Sequence, residues 1–190
     1  MKFQLNKMPM MCCLILATVI LFSCEDDDNK KEWGNTLIYM PQAAILNGGL
    51  TSNDYPVPFN NNLATKNYEF NESSKLLTIF LGVYRSGMQK LESYSVQIAA
   101  DDAATTIAAA RFSNGVVLPN SAYTLPNNIT VPNGEREAIF NLTVDMSKLE
   151  QDFSSNRIVL VVGLSNPSKY ELNESLSKTT IIIDGSFFLP

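Results

Sequence analysis

The chain has 190 residues, of which 14 are basic and 19 acidic, a formal net charge of −5 and no histidine. The missing imidazole excludes histidine metal sites, Ser-His-Asp and Cys-His catalysis, and pH switching through histidine. A mildly acidic chain without a basic cluster is not built to neutralise phosphates, which excludes nucleic acid as a partner.

The chain begins with a leader. Lys2 and Lys7 precede an uncharged run, "MPMMCCLILATVILF", from Met8 to Phe22. A membrane-spanning helix needs roughly 20 apolar residues, so the run has the length of a secretory h-region. It ends at Leu21-Phe22-Ser23-Cys24, which resembles the bacterial lipobox. That resemblance implies cleavage after residue 23, acylation of Cys24 and a membrane held through the N-terminal lipid. One acyl chain binds a bilayer marginally, and two or more hold it stably. A plain signal peptide with an incidental cysteine, or a short N-terminal anchor, is the alternative. Cys12 and Cys13 lie in the leader, so a mature chain keeps Cys24 alone and forms no internal disulfide or thiolate cluster.

Residues 24–34 form an acidic tether. Glu25, Asp26, Asp27 and Asp28 follow the cysteine directly. A run of like charges is a solvated, self-repelling spacer. It also resembles the surface-export signal of Bacteroidetes lipoproteins, which implies an outer-membrane protein facing the cell exterior. Trp33, the only tryptophan, closes the tether and is expected to pack against the first strand or make interfacial contact.

From residue 35 to 186 the pattern reads as one β domain. "NTLIYM" (35–40) is a short strand stopped by Pro41. Residues 42–66 show no helix or strand period. They carry Gly48, Gly49, Pro56 and Pro58, and such a long irregular stretch is usually functional or disordered. "SKLLTIFLGVY" (74–84) is apolar almost throughout, as in a strand buried on both faces or at a sandwich centre. Residues 93–101 alternate, with Tyr94, Val96, Ile98 and Ala100 on one side. "DAATTIAAAR" (102–111) is the one helical stretch, where Asp102 can cap the first turn.

"AYTLP" and "NITVP" are short extended pieces, and Asn133-Gly134 marks a turn. Beyond it Ala138, Phe140, Leu142 and Val144 alternate with Ile139, Asn141 and Thr143. Residues 156–164 and 177–184 are the last two strands, with a short extended piece at Tyr170–Leu172 between them. About seven strands with at most one short helix make an all-β sandwich.

"YTLPNNITVPNGEREAIFNLTVD" and "RIVLVVGLSNPSKYELNESLSKTTIIID", with "LIYMPQA" and "LGVYRSG" earlier, resemble a domain of unknown function found in Bacteroidetes surface lipoproteins. The resemblance covers about residues 35–185. It implies an immunoglobulin-like sandwich and an association with polysaccharide-utilisation systems, where such a domain often precedes a glycan-binding or hydrolase domain. The chain runs only to Pro190, and no second domain is expected within it.

The expected function is therefore a non-catalytic, lipid-anchored accessory module of a glycan-uptake system, binding polysaccharide or scaffolding a surface protein partner. A structural adhesin or fimbria-like subunit without a small ligand is the alternative. Sugars stack on aromatic faces and bond to amides, so Tyr55, Phe59 and Asn60 in the irregular stretch are the candidate ligand residues. Tyr39, Tyr84, Tyr94 and Phe140 sit in strand patterns and are expected in the core. Glycosidic hydrolysis needs two facing carboxylates. Asp101 and Asp102 are adjacent, which suits a strand end and helix cap. No D-x-D-x-D loop suggests calcium, and no cofactor is expected.

Overall fold

The structure, a computed structural model, describes residues 35–44, 46–47, 50–51, 53–59, 66–87, 90–149 and 153–189. The leader, Cys24, the acidic residues Glu25 to Asp28, Trp33 and Asn60 lie outside the described residues.

Fourteen strands and two short α-helices follow in chain order: β1 (Leu37–Tyr39), β2 (Leu46–Asn47), β3 (Leu50–Thr51), β4 (Asp54–Val57), β5 (Tyr68–Asn71), β6 (Leu76–Arg85), β7 (Tyr94–Ala100), α1 (Asp102–Ala109), β8 (Gly115–Val117), β9 (Tyr123–Thr124), β10 (Asn128–Val131), β11 (Glu137–Asp145), β12 (Arg157–Ser165), β13 (Glu171–Leu172), β14 (Lys178–Asp184) and α2 (Gly185–Phe188). Twelve of these strands form two six-stranded sheets. The first runs β13-β1-β6-β11-β9, with β5 also on β6. The second runs β10-β7-β12-β14-β4, with β8 also on β12. β2 and β3 form a separate hairpin.

This is an immunoglobulin-like β-sandwich. The alternation of apolar residues puts Ile79, Leu81, Leu142 and Val144 of the first sheet against Val96, Ile98, Leu160 and Ile181 of the second, all of them buried. Burial of each such side chain is worth about 1.5–3 kcal/mol.

Several expectations need refining. Residues 42–66 are not a structureless loop. A 3₁₀ turn at Pro41–Ala44, the β2–β3 hairpin and β4 all fall in or against that stretch, and β4 pairs in parallel with β14. β4 is short and contains Pro56, and its partner lies far along the chain, so no local period announces it. The turn at Asn133-Gly134, where Gly134 has φ of 90°, does not close a hairpin. β10 pairs with β7 and β11 with β6, so the turn carries the chain from one sheet to the other.

The helix is capped one residue earlier than expected. Asp101 accepts the backbone N–H of Ala104 at 2.9 Å. α1 lies on the outside of the second sheet, where Ala108 and Ala109 pack on Val159 and Val161. That cover is why β12 is buried on both faces. β6 takes the other expected place, at the centre of its sheet between β1 and β11, and Thr78, Phe80 and Tyr84 are only half-buried on its outer face.

Candidate functional site

The first sheet carries a hollow on its outer side. Antiparallel register sets Tyr39 opposite Tyr84, Ile139 opposite Gly82 and Asn141 opposite Phe80. Residues directly opposite one another share a face, so these side chains leave the sheet on the same side. Tyr84, Gly82 and Phe80 form one column along β6. Gly82 has no side chain, which leaves a gap between two rings whose Cα atoms stand ~13 Å apart along the strand.

The gap is a hollow of about 230 Å³. Gly82 and its neighbours in β6 form the floor. Pro41 and Gln42 make one wall and Glu137 and Ile139 the other, with Tyr55 and Phe80 at one end. A Cβ built on Gly82 would meet the Ala138 oxygen at 3.4 Å and Gln42 Nε2 and Pro41 Cγ at 4.0 Å. A methyl group fits there, and a longer side chain fills the space.

The walls are fixed by the sequence around them. The Gly82 N–H donates to Gln42 Oε1 at 3.3 Å, which leaves Gln42 Nε2 to serve as a donor within the hollow. Glu137 offers a carboxylate acceptor from the other wall, and Ile139, 72% exposed, stands beside it as an apolar ridge. Tyr39 and Tyr84 form a tilted pair with centroids 5.4 Å apart. Burial, and then the nearby Tyr84 ring hydroxyl, push the Tyr39 phenol above its ordinary pKa, so it remains a neutral donor and acceptor at physiological pH.

Apolar ridges and half-buried rings around a floor that is open at a glycine suit a flat ring with one apolar face. An amide donor and a carboxylate acceptor on facing walls suit that ring's hydroxyl groups. Glu137 is the one carboxylate lining the hollow. Asp101 is committed elsewhere, to the helix cap and to Lys178 Nζ at 2.7 Å, and both contacts hold its carboxyl below the usual range. Among the described residues, no cluster of three acidic or cysteine side chains is placed to hold a metal ion.

The structure separates the candidate residues. Tyr55 is 5% exposed, belongs to the core and lines one end of the hollow. Burial pushes its phenol above the ordinary value. Phe59 stacks on Tyr55 with centroids 6.3 Å apart, and its backbone N–H donates to Asn67 Oδ1 at 3.0 Å. These two rings come together as packing, and the Tyr55 face is covered by protein. Tyr94 and Phe140 are core residues as expected, whereas Tyr39 and Tyr84 stand on the outer face. Gln42, Gly82, Glu137 and Ile139 are the lining residues that sequence reasoning missed. The signal for Ile139 was present, because it alternates with the inward set of β11.

A second cluster closes one end of the sandwich. Arg85 is 1% exposed, and its Nη1 donates to the Tyr170 hydroxyl at 2.7 Å and the Lys90 carbonyl at 3.1 Å. Its guanidinium also lies 5.0 Å from the centre of the Tyr170 ring. This arrangement is inward and structural.

Comparison with solved structures gives a like architecture. A protein of unknown function from Bacteroides ovatus superposes with a TM-score of 0.51 at 16% identity, covering 79% of this chain and 46% of that one. An auxiliary nutrient binding protein from Bacteroides thetaiotaomicron matches at 0.48 and 17%, covering 68% and 42%. The apo-form Calx CBD1 domain matches at 0.47 and 13%, covering 79% and 96%. At such identities the likeness is one of fold. This chain spans less than half of each of the two Bacteroides chains. None of the curated proteins compared with the chain matches it. Residues 35–171 match a family model described as "-like, N-terminal domain". That span takes in nearly the whole sandwich and well over half of the chain, and the chain therefore belongs to this family of N-terminal domains.

Proposed function

We propose that this protein is a non-catalytic accessory module of a glycan-uptake system, held at the outer membrane through Cys24 and binding polysaccharide on the outer side of its first sheet. The observation that carries the reading is the hollow over Gly82, with the half-buried Phe80 ring at one end and walls from Gln42 and Glu137. Its volume lies below the roughly 300 Å³ at which drug-sized ligand pockets begin. It therefore takes one ring of a chain, and the rest of the chain runs over the sheet. Single-ring sites of this kind bind weakly, and repeated units along a polymer and many anchored copies raise the effective affinity. The acidic tether after Cys24 supports the placement, since a self-repelling spacer carries the sandwich clear of an anionic bilayer.

The test is calorimetric titration of the unacylated protein against a panel of neutral polysaccharides. Saturable heat with at least one of them is expected. Gly82→Leu, which fills the hollow, and Phe80→Ala, which removes the ring at its end, should each abolish that heat while the thermal transition persists. Heat that survives Gly82→Leu would move the ligand elsewhere on the molecule. An absence of heat across the panel would leave the structural, adhesin-like reading in its place.

A further inference from the structure

The two edges of β6 and β11 are treated differently by the fold. On the β6 side, the gap between β1 and β5 is sealed. The Phe80 N–H donates to the Asn67 carbonyl at 3.1 Å, the Phe80 carbonyl accepts the Tyr55 hydroxyl at 3.4 Å, and the Gly82 N–H donates to Gln42 Oε1 at 3.3 Å. Three of the groups left by the ladder there have substitute partners.

The β11 side has none. Arg85 N–H donates to the Arg136 carbonyl and Met146 N–H to the Lys75 carbonyl, both at 2.9 Å. These bonds bracket the β6–β11 ladder. Antiparallel alternation then assigns the even-numbered residues of β11 to the bonds with β6. Glu137, Ile139 and Asn141 consequently turn their backbone N–H and C=O groups the other way. β9 pairs with β11 only at Thr143 and Val144. Among the described residues nothing pairs with the backbone of Glu137, Ile139 or Asn141.

That open edge looks onto a second hollow, of about 520 Å³, between the two sheets' margins. Ile129, Thr130 and Pro132 line it from the β10 side, and Glu135, Glu137 and Ile139 from the β11 side. β10 is itself the margin of the second sheet, paired with β7 alone. Native sheets usually blunt such an edge with lysine, proline or a covering element, because unpaired groups are a template for another strand. Here the edge carries an exposed isoleucine, and the charge on its rim is acidic.

We propose that β11 is an acceptor edge for a partner protein's extended segment carrying alternating apolar and basic residues. The segment pairs with the backbone of Glu137, Ile139 and Asn141. Its inward-facing side chains, which are apolar, enter the hollow against Ile129, Pro132 and Ala138, and its outward-facing basic ones meet Glu137 and Glu135. A second copy of this chain fits less well. Two β11 strands paired antiparallel about Ile139 would set Thr143, which already carries β9, opposite Glu135 of the other copy, where the Pro132–Glu135 turn stands. The proposal shares Glu137 and Ile139 with the hollow over Gly82 but rests on the unpaired backbone of β11, not on glycan binding in that hollow.

The probe is a synthetic peptide of alternating valine and lysine, followed by fluorescence anisotropy on the full-length unacylated protein, with an alternating valine–glutamate peptide as control. Binding of the basic peptide alone is expected, with slowed amide exchange at Ile139 and Asn141. Ile139→Pro removes an N–H that β6 does not use, so the ladder survives. It should weaken the peptide by at least about tenfold. Glu135→Lys tests the charge without touching the ladder and should weaken the basic peptide while improving the acidic one. Gly82→Leu should leave peptide binding unchanged. Absence of binding at millimolar peptide, or binding indifferent to both Ile139→Pro and Glu135→Lys, overturns the proposal. A concentration-dependent dimer abolished by Ile139→Pro also overturns it, by naming a second copy as the occupant.

Discussion

The hydroxyl of Tyr55, carried by β4 of the second sheet, donates to the carbonyl of Phe80 on β6 of the first, at 3.4 Å. One phenol thus ties the two layers together and seals the β6 edge beside the Gly82 hollow. Removing the hydroxyl in Tyr55→Phe leaves the Phe80 carbonyl without that donor. A typical hydrogen bond contributes about 0.5–1.5 kcal/mol net, and one of this length belongs at the lower end. Urea denaturation should show a loss of about 0.5 kcal/mol. A loss above about 2 kcal/mol would mean that the ring packing, and not the hydroxyl, had been disturbed.

The contact also shows where sequence reading stops. The period-2 alternation of β11 was legible, and with it the outward position of Ile139. The buried runs of β12 and β14 were legible for the same reason. The burial of Tyr55 was not legible because β4 is four residues long, contains Pro56 and owes its existence to a parallel partner near the end of the chain. Tyr39 and Tyr84 were assigned to the core because aromatic residues in strands usually are. Whether a strand's second face is covered depends on a distant element. α1 covers β12, and no local signal says that β6 lacks the same cover. Gly82 reads in the sequence as a weak point within a strand. Only the register, which places it between two rings and opposite Ile139, makes it a floor.

Thr105 holds α1 to the sheet beneath it. It is 1% exposed, donates its hydroxyl to the Asp101 carbonyl at 2.7 Å and accepts the Val161 N–H of β12 at 2.9 Å. Thr105→Val keeps the shape and leaves a buried N–H without a partner, which costs about 1–3 kcal/mol. Thr105→Ser keeps both bonds and should recover most of that loss. Denaturation of the two variants separates the hydrogen bond from the packing, and equal stabilities would show that the hydroxyl contributes nothing.

Tyr94 makes the fold weaken at alkaline pH. It is 2% exposed, and among the described residues its hydroxyl has no hydrogen-bond partner. Burial pushes its pKa up to about 12, against the opposing pull of the Arg85 guanidinium. Between pH 10 and about 12 the unfolded chain has lost this proton and the folded chain keeps it. Stability therefore falls as pH rises through that window, with a limiting slope of about 1.4 kcal/mol per pH unit from this residue, and it is flat below pH 10 on this account. Tyr94→Phe removes both the slope and an orphaned buried hydroxyl. Its stability at pH 7 should equal or exceed that of the parent chain. Denaturation midpoints from pH 8 to pH 12 test both statements, and an unchanged alkaline slope in Tyr94→Phe would contradict the assignment.

The anchor and the acidic tether make separable predictions about location. If Cys24 is acylated more than once, the protein partitions with membranes through its lipid, because a single chain holds only marginally. Cys24→Ser should then move it to the soluble fraction and abolish incorporation of a labelled fatty acid. Replacing Glu25, Asp26, Asp27 and Asp28 with alanine leaves the cysteine in place, so labelling and membrane partition should persist. What changes is the face. In intact cells the parent chain is expected to be cut by added protease, and the tetra-alanine variant to be protected. Protection of the parent chain would place the sandwich on the inner side of the outer membrane. It would then handle glycan that has already crossed, instead of holding polymer at the cell exterior.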